Sequence, residues 1–96
     1  MNKELQTRVL GLLSDKHTSI DALVDEYFIW IAVDPDGEVT VFKSKPKMLS
    51  EMEDDFTQDM WVSPENSSDS SLKIGTLNGF YVPTWKSSLT RIEHLI

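Results

Sequence analysis

The feature that most constrains the fold is an apolar, aromatic run that ends at a turn. Residues 27–33 read YFIWIAV, which contains no charged residue and is rich in aromatic and β-branched side chains. Such a run is typical of a strand covered on both faces. It is followed by Asp34-Pro35-Asp36-Gly37, where the proline restricts φ and the glycine permits a positive φ. Residues 38–43 then alternate as a second strand, so the sequence predicts a β-hairpin over residues 27–43.

The first 26 residues are predicted to be helical. One apolar face spans about residues 3–14, with side chains at i, i+4, i+7 and i+8: Leu5, Val9, Leu12 and Leu13. Thr18 and Asp21 have the spacing of a capping box, which marks the start of a second helix. Its apolar stripe consists of Ile20, Leu23, Val24 and Tyr27. An antiparallel helix pair and a single kinked helix both fit this pattern.

The second half of the chain alternates between strand signals and polar segments. Residues 44–71 are predicted to be an acidic region, with a short helix or an ordered loop at 48–56, a short strand at 60–62 and an exposed loop at 63–71. Residues 72–96 are predicted to form a hairpin that turns at Asn78-Gly79, followed by a tail. The expected fold class is α+β, one domain over residues 1–96. In it, an N-terminal helix or helix pair packs on a four- to five-stranded, mostly antiparallel sheet.

Charge is distributed very unevenly along the chain. The formal net charge is −7, and residues 51–71 contain seven acids but no lysine or arginine. The only basic cluster comprises Lys43, Lys45 and Lys47, a number of cations typical of a solvated loop. Direct binding to nucleic-acid phosphates is therefore not expected. An acidic segment of this kind instead fits a solvated surface or a recognition surface for a basic partner protein.

We predict that the partner-binding residues lie in the EMEDDFTQDM stretch. They are Glu51, Glu53, Asp54, Asp55, Asp59 and Met60. Carboxylates select and attract a basic partner, and a methionine adapts its shape to a partner surface. Mimicry of the DNA backbone is a further alternative, although it needs more acids spread over one face.

The sequence contains no pattern that predicts catalysis, a metal or a cofactor. There are no cysteines, and His17 and His94 alone make a poor zinc site. Asp34-Pro35-Asp36-Gly37 begins like a calcium loop but lacks the third ligand of that pattern, and its proline indicates a turn. The polar N-terminus and the cysteine-free composition suggest a soluble protein of the cytoplasm with no membrane partner.

The C-terminal stretch TWKSSL is predicted to close the core. Trp85, Leu89 and Ile92 share one face at i, i+4 and i+7, whereas Ser87 and Ser88 are expected to point outward or to bond the backbone locally. With Asp36-Gly37-Glu38, Lys45-Pro46, Trp61 and Lys73-Ile74, the terminal W-K-x-S-L resembles small bacteriophage-encoded proteins of unknown function. The resemblance covers roughly residues 28–92 and implies a setting rather than an activity, because such proteins commonly bind a host protein, including components of defence systems.

These observations together favour a non-catalytic protein that binds and modulates a host protein. Two alternatives remain open at this point. One is an immunity protein or antitoxin that neutralises a toxin. The other is a protein that binds a small ligand or nucleotide in a pocket between helices and sheet.

Overall fold

The computed structural model describes residues 1–48, 60–64, 70–77 and 81–95. It confirms the α+β class, because an N-terminal helical region accompanies a four-stranded antiparallel sheet and a second, two-stranded sheet. The elements are α1 (Lys3–Asp15), α2 (Ile20–Asp25), β1 (Trp30–Val33), β2 (Glu38–Phe42), β3 (Lys47–Met48), β4 (Trp61–Val62), β5 (Ser71–Thr76) and β6 (Thr90–Arg91). Short 3-10 turns cover Trp85–Ser87 and Ile92–His94. No helix among the described residues is both long and apolar enough to cross a membrane.

The N-terminal region contains two separate helices. The Asn2 side chain caps α1 by accepting a hydrogen bond from the backbone N–H of Leu5, at 2.8 Å. The chain leaves α1 through His17, which has a positive φ of 53°. The start of α2 differs by one residue from the predicted capping box, because Ser19 rather than Thr18 accepts from the N–H of Ala22. The predicted apolar face of α1 is largely confirmed, because Leu5, Val9 and Leu13 are buried and Leu12 is partly buried against the core.

The predicted hairpin around residues 34–37 is confirmed. β1 pairs antiparallel with β2 from Trp30 opposite Phe42 to Val33 opposite Val39. The backbone N–H of Gly37 donates to the carbonyl of Asp34 at 2.9 Å, and Gly37 has a φ of +91°. The first strand is shorter than predicted, because residues 27–29 precede β1. The strand order β5-β2-β1-β6 puts β1 inside the sheet, as its apolar sequence suggested.

The prediction of a C-terminal hairpin is wrong for the residues that the structure describes. β5 pairs antiparallel with β2 rather than with a following strand, and Tyr81 and Val82 lie in no strand. The N–H of Val82 instead donates to the carbonyl of Pro35 at 2.8 Å, so the chain after β5 returns to the 34–37 turn. The N–H that a strand at Val82 could offer to β5 is thus used by the carbonyl of Pro35. The turn predicted at Asn78-Gly79 lies outside the described residues, as do most of the loops predicted at 48–56 and 63–71.

The tail closes the core, but not as one helical face. Trp85, Ile92 and Leu95 are buried, whereas Leu89 is only half-buried. Between the two 3-10 turns the chain forms β6, which pairs with β1 and was not predicted. Residues of α1, β1, β2 and the tail therefore share one apolar cluster.

Candidate functional site

The predicted acidic binding segment is joined to the described structure through the two-stranded sheet. β3 and β4 pair antiparallel, with Met48 opposite Trp61. The chain therefore leaves and re-enters the described structure at neighbouring positions. Five predicted partner-binding residues lie outside the described residues: Glu51, Glu53, Asp54, Asp55 and Asp59. Met60, the sixth, is half-buried and directly precedes β4.

Trp61 connects this base to the main body of the protein. Its backbone N–H donates to Oδ1 of Asp34 at 2.8 Å, and its indole Nε1–H donates to the carbonyl of Trp85 at 3.0 Å. The two indole rings meet edge to face, with centroids 6.1 Å apart and planes at 79°. Trp61 is buried, so both of its N–H groups need an acceptor within the protein. The base of the acidic segment is thus attached to both the hairpin turn and the tail.

Asp34 is a buried carboxyl group with an altered pKa. Only 5% of the residue is exposed, and burial raises its pKa to about 6, while the hydrogen bond from Trp61 lowers it and the charges of Glu38 and Asp36 raise it. A carboxyl group with such a pKa changes charge under mildly acidic conditions. Its hydrogen bond to the backbone of Trp61 indicates a structural role at the base of the acidic segment.

Three carboxylates converge at the hairpin turn. Oxygens of Asp34, Asp36 and Glu38 lie within 4.8 Å of one another, close enough for a small cation to reach all three. Lys73 on β5 forms an ion pair with Glu38, and this carboxylate raises the pKa of Lys73. The side chain of Asp36 also accepts from the N–H of Glu38 at 3.0 Å. Glu38 therefore already has Lys73 as a cationic partner, and Asp36 already accepts a hydrogen bond from the backbone.

The sequence predicts a turn here rather than a calcium loop, because the loop pattern lacks its third ligand. The acidic residues at i, i+2 and i+4 in Asp34, Asp36 and Glu38 were the signal available in the sequence. The turn brings their oxygens together because it reverses the chain between the two strands. Hard cations such as Ca²⁺ and Mg²⁺ favour oxygen ligands of this type.

Ser88 has a role that the sequence did not predict. It is fully buried, and its Oγ accepts from the N–H of Val33 at 2.9 Å and lies 2.7 Å from the carbonyl oxygen of Trp85. The prediction that it would point outward is therefore wrong. The predicted local bond to the backbone is present, but the same hydroxyl also connects the tail to the end of β1. Ser87 is exposed, and its Oγ donates to the carbonyl of Thr84 at 3.0 Å, which matches the prediction for it.

A cleft of about 380 Å³ lies between the first half of α1 and the segment that follows β5. Leu5 and Val82 form part of its apolar lining, and Arg8 and Thr84 contribute polar groups. Arg8 also forms an ion pair with Glu4 at 3.3 Å, on the exposed side of the helix. The volume falls in the range of pockets that hold small molecules.

No protein-family model, curated protein or solved structure matches this chain.

Proposed function

We propose that this chain is a non-catalytic accessory protein that binds another protein through its acidic segment and modulates or inhibits it. The observation that carries the proposal is the concentration of seven acids, with no lysine or arginine, in residues 51–71. A field of one sign accelerates encounter with a partner of opposite sign and disfavours the wrong partners. The partner is therefore a protein with a basic surface. The contact residues are Glu51, Glu53, Asp54, Asp55, Asp59 and Met60.

The base of the segment supports this proposal. Residues 49–59 connect Met48 and Met60, and the pairing of β3 with β4 keeps these two ends close together. The hydrogen bonds of Trp61 to Asp34 and Trp85 attach that pairing to the core. A segment with tethered ends has less conformational entropy to lose when a partner binds it.

The resemblance to small bacteriophage-encoded proteins supports a host protein as the partner, including a component of a defence system. In this setting the protein acts in the cytoplasm of the host cell. An immunity protein or antitoxin would use the same acidic surface against a basic toxin. An immunity protein or antitoxin is encoded beside its toxin, whereas a protein that binds a host protein is not. Relief of toxicity when this chain is co-expressed with the product of a neighbouring gene would therefore distinguish the two.

The test is a comparison of two variants in affinity capture from a host lysate. The first carries Glu→Gln or Asp→Asn changes at Glu51, Glu53, Asp54, Asp55 and Asp59. The second carries the same changes at the five acids of residues 1–26: Glu4, Asp15, Asp21, Asp25 and Glu26. Both lose five negative charges, so a general effect of net charge is the same in each.

We expect the first variant to lose the partner that the unaltered chain captures and the second to keep it. The purified partner should also associate more slowly with the unaltered chain as the salt concentration rises, because exposed charges are screened. Equal capture by both variants and the unaltered chain would contradict the proposal.

The cleft beside α1 supports a second candidate, a protein that binds a small ligand or nucleotide. A ligand that binds only the folded state raises the melting temperature with its concentration. A thermal-shift screen with nucleotides and divalent cations is the test. The comparison is a Thr84→Arg variant, which puts a long charged side chain at an exposed position of the cleft lining. Stabilisation that disappears in this variant would favour the second candidate, whereas no stabilisation at high ligand excess would exclude it for the compounds screened.

A further inference from the structure

The cleft between α1 and the segment after β5 has a buried apolar lining. Leu5 on α1 and Leu77 and Val82 on the other side contribute to it, and all three are at most 8% exposed. The N–H of Val82 donates to the carbonyl of Pro35, and the N–H of Leu77 donates to the carbonyl of Gly37. These bonds attach the far side of the cleft to the hairpin turn. The cleft is therefore formed by ordered backbone before any ligand enters it.

Polar side chains line the more exposed part of the cleft. Asn2 and Thr84 are both exposed, and Nδ2 of Asn2 lies 3.4 Å from Oγ1 of Thr84, close to the limit of a hydrogen bond. Oδ1 of Asn2 already accepts from the N–H of Leu5 at 2.8 Å. The group that Asn2 can offer to a ligand is therefore its amide nitrogen, which is a donor.

One cation and one acid line the cleft among the residues that the structure describes. They are Arg8 and Glu4, which form an ion pair with Nη2 of the arginine 3.3 Å from Oε1 of the glutamate. The Glu4 side chain is 80% exposed and that of Arg8 only 39%, so the guanidinium side chain lies closer to the protein. A guanidinium has five N–H donors in a fixed plane, a geometry that matches a carboxylate.

We infer that this cleft binds a small organic molecule that has one carboxylate and an apolar body. The carboxylate accepts hydrogen bonds from Arg8 and from the amide of Asn2, while the apolar body contacts Leu5 and Val82. This inference rests on the second candidate function, a protein that binds a small ligand, and specifies the class of that ligand.

Size and charge limit the ligand further. A volume of about 380 Å³ is near the lower end of the range for small-molecule pockets, so the body is about the size of one ring with a short chain. A single arginine balances a single negative charge, and the net charge of −7 disfavours ligands with several. A monocarboxylate therefore fits the cleft better than a nucleotide does.

The test is an NMR titration of the backbone amide signals of the full chain with three probes that share one apolar body. The probes are phenylpropionate, phenylpropanol and phenylpropylammonium. We expect the carboxylate to bind about tenfold more tightly than the alcohol, because it accepts charged hydrogen bonds, and the ammonium to bind most weakly. The amide signals that move should belong to residues 4–8 and 81–84, on the two sides of the cleft.

Two variants that break the same ion pair should change the affinity in opposite directions. Arg8→Gln removes the cation and should weaken phenylpropionate binding by about tenfold. Glu4→Gln removes a carboxylate that competes for Arg8 and should strengthen binding. Loss of the ion pair as a merely structural contact would instead move both affinities the same way. Arg91→Gln is the matched control, because Arg91 has a similar exposed ion pair with Glu93, at 3.0 Å, and is not part of the cleft lining. It should leave the affinity unchanged.

Equal affinities for phenylpropionate and phenylpropanol would overturn the carboxylate assignment, although the cleft would still be a small-ligand site. Signals that move only outside the cleft, or no binding of phenylpropionate up to its solubility limit, would also overturn the inference. The second candidate function would then be decided by the separate screen with nucleotides and divalent cations. Partner capture through residues 51–60 is independent of all these outcomes.

Discussion

The backbone N–H of Trp61 donates a 2.8 Å hydrogen bond to Oδ1 of Asp34, a residue 27 positions earlier in the chain. This bond joins β4 to the turn of the β1–β2 hairpin, and both of its partners are buried. It is therefore the contact by which the base of the acidic segment is attached to the main sheet.

Removal of the Asp34 carboxylate should destabilise the protein. Asp34→Ala leaves the buried N–H of Trp61 without an acceptor, which costs about 1–3 kcal/mol in the free energy of unfolding. Asp34→Asn keeps an acceptor oxygen and should cost less. Urea unfolding followed by tryptophan fluorescence measures both. Asp21→Ala, at an exposed helix position, is the control, and an Asp34→Ala cost no larger than that of the control would show that the bond contributes nothing.

Stability should fall as the pH rises through the pKa of Asp34. Burial raises this pKa in the folded state to about 6, well above the ordinary aspartate value of 3.8. The folded state therefore binds more protons than the unfolded state between these values. The contribution of Asp34 is fully present below pH 3.8 and is lost as the pH rises to about 6. The free energy of unfolding at pH 5 and pH 7, compared between the unaltered chain and Asp34→Asn, isolates this contribution, and an equal pH dependence in both would contradict it.

The two neighbouring serines of TWKSSL should respond very differently to substitution. Ser88→Ala removes the acceptor of the buried Val33 N–H and should cost about 1–3 kcal/mol. Ser87→Ala removes an exposed local hydrogen bond and should change stability by less than about 0.5 kcal/mol. Chemical denaturation of the two variants makes the comparison. Equal effects would mean that the connection between the tail and β1 does not contribute to stability.

Two glycine-to-alanine substitutions should change the stability of the protein in opposite directions. At Gly37, with a φ of +91°, an added Cβ would lie 2.7 Å from the carbonyl oxygen of Leu77. Backbone strain alone costs about 1–2 kcal/mol there, and the contact adds to it. At Gly11, within α1, an added Cβ has nothing within 4 Å, and alanine should stabilise the helix by about 1 kcal/mol. Melting temperatures of the two variants test this pair, and a Gly37→Ala protein as stable as the unaltered chain would contradict the turn geometry.

Local signals in the sequence were sufficient for α1 and the β1–β2 hairpin. They also indicated a second helix, but Val24 and Tyr27 of its predicted apolar stripe are exposed, and Tyr27 lies beyond the end of α2. The face formed by Leu5, Val9 and Leu13 follows from the 3.6-residue period of a helix, and Gly37 provides the positive φ that the turn requires. The concentration of acids in residues 51–71 is likewise a property of the sequence alone. These features depend only on residues that are close in the sequence, so the sequence alone is sufficient to predict them.

Only the tertiary structure decided which distant groups meet. The pairing of β5 with β2 and the burial of Ser88 both depend on contacts between residues far apart in the chain. The carboxyl of Asp34 is attached to Trp61 for the same reason, because the two-stranded sheet returns to the hairpin turn. A hydroxyl or a carboxylate suits water as well as a buried hydrogen bond, so its sequence neighbours do not distinguish the two. Packing makes that choice, since a buried polar group is stable only where a complementary partner is brought to it.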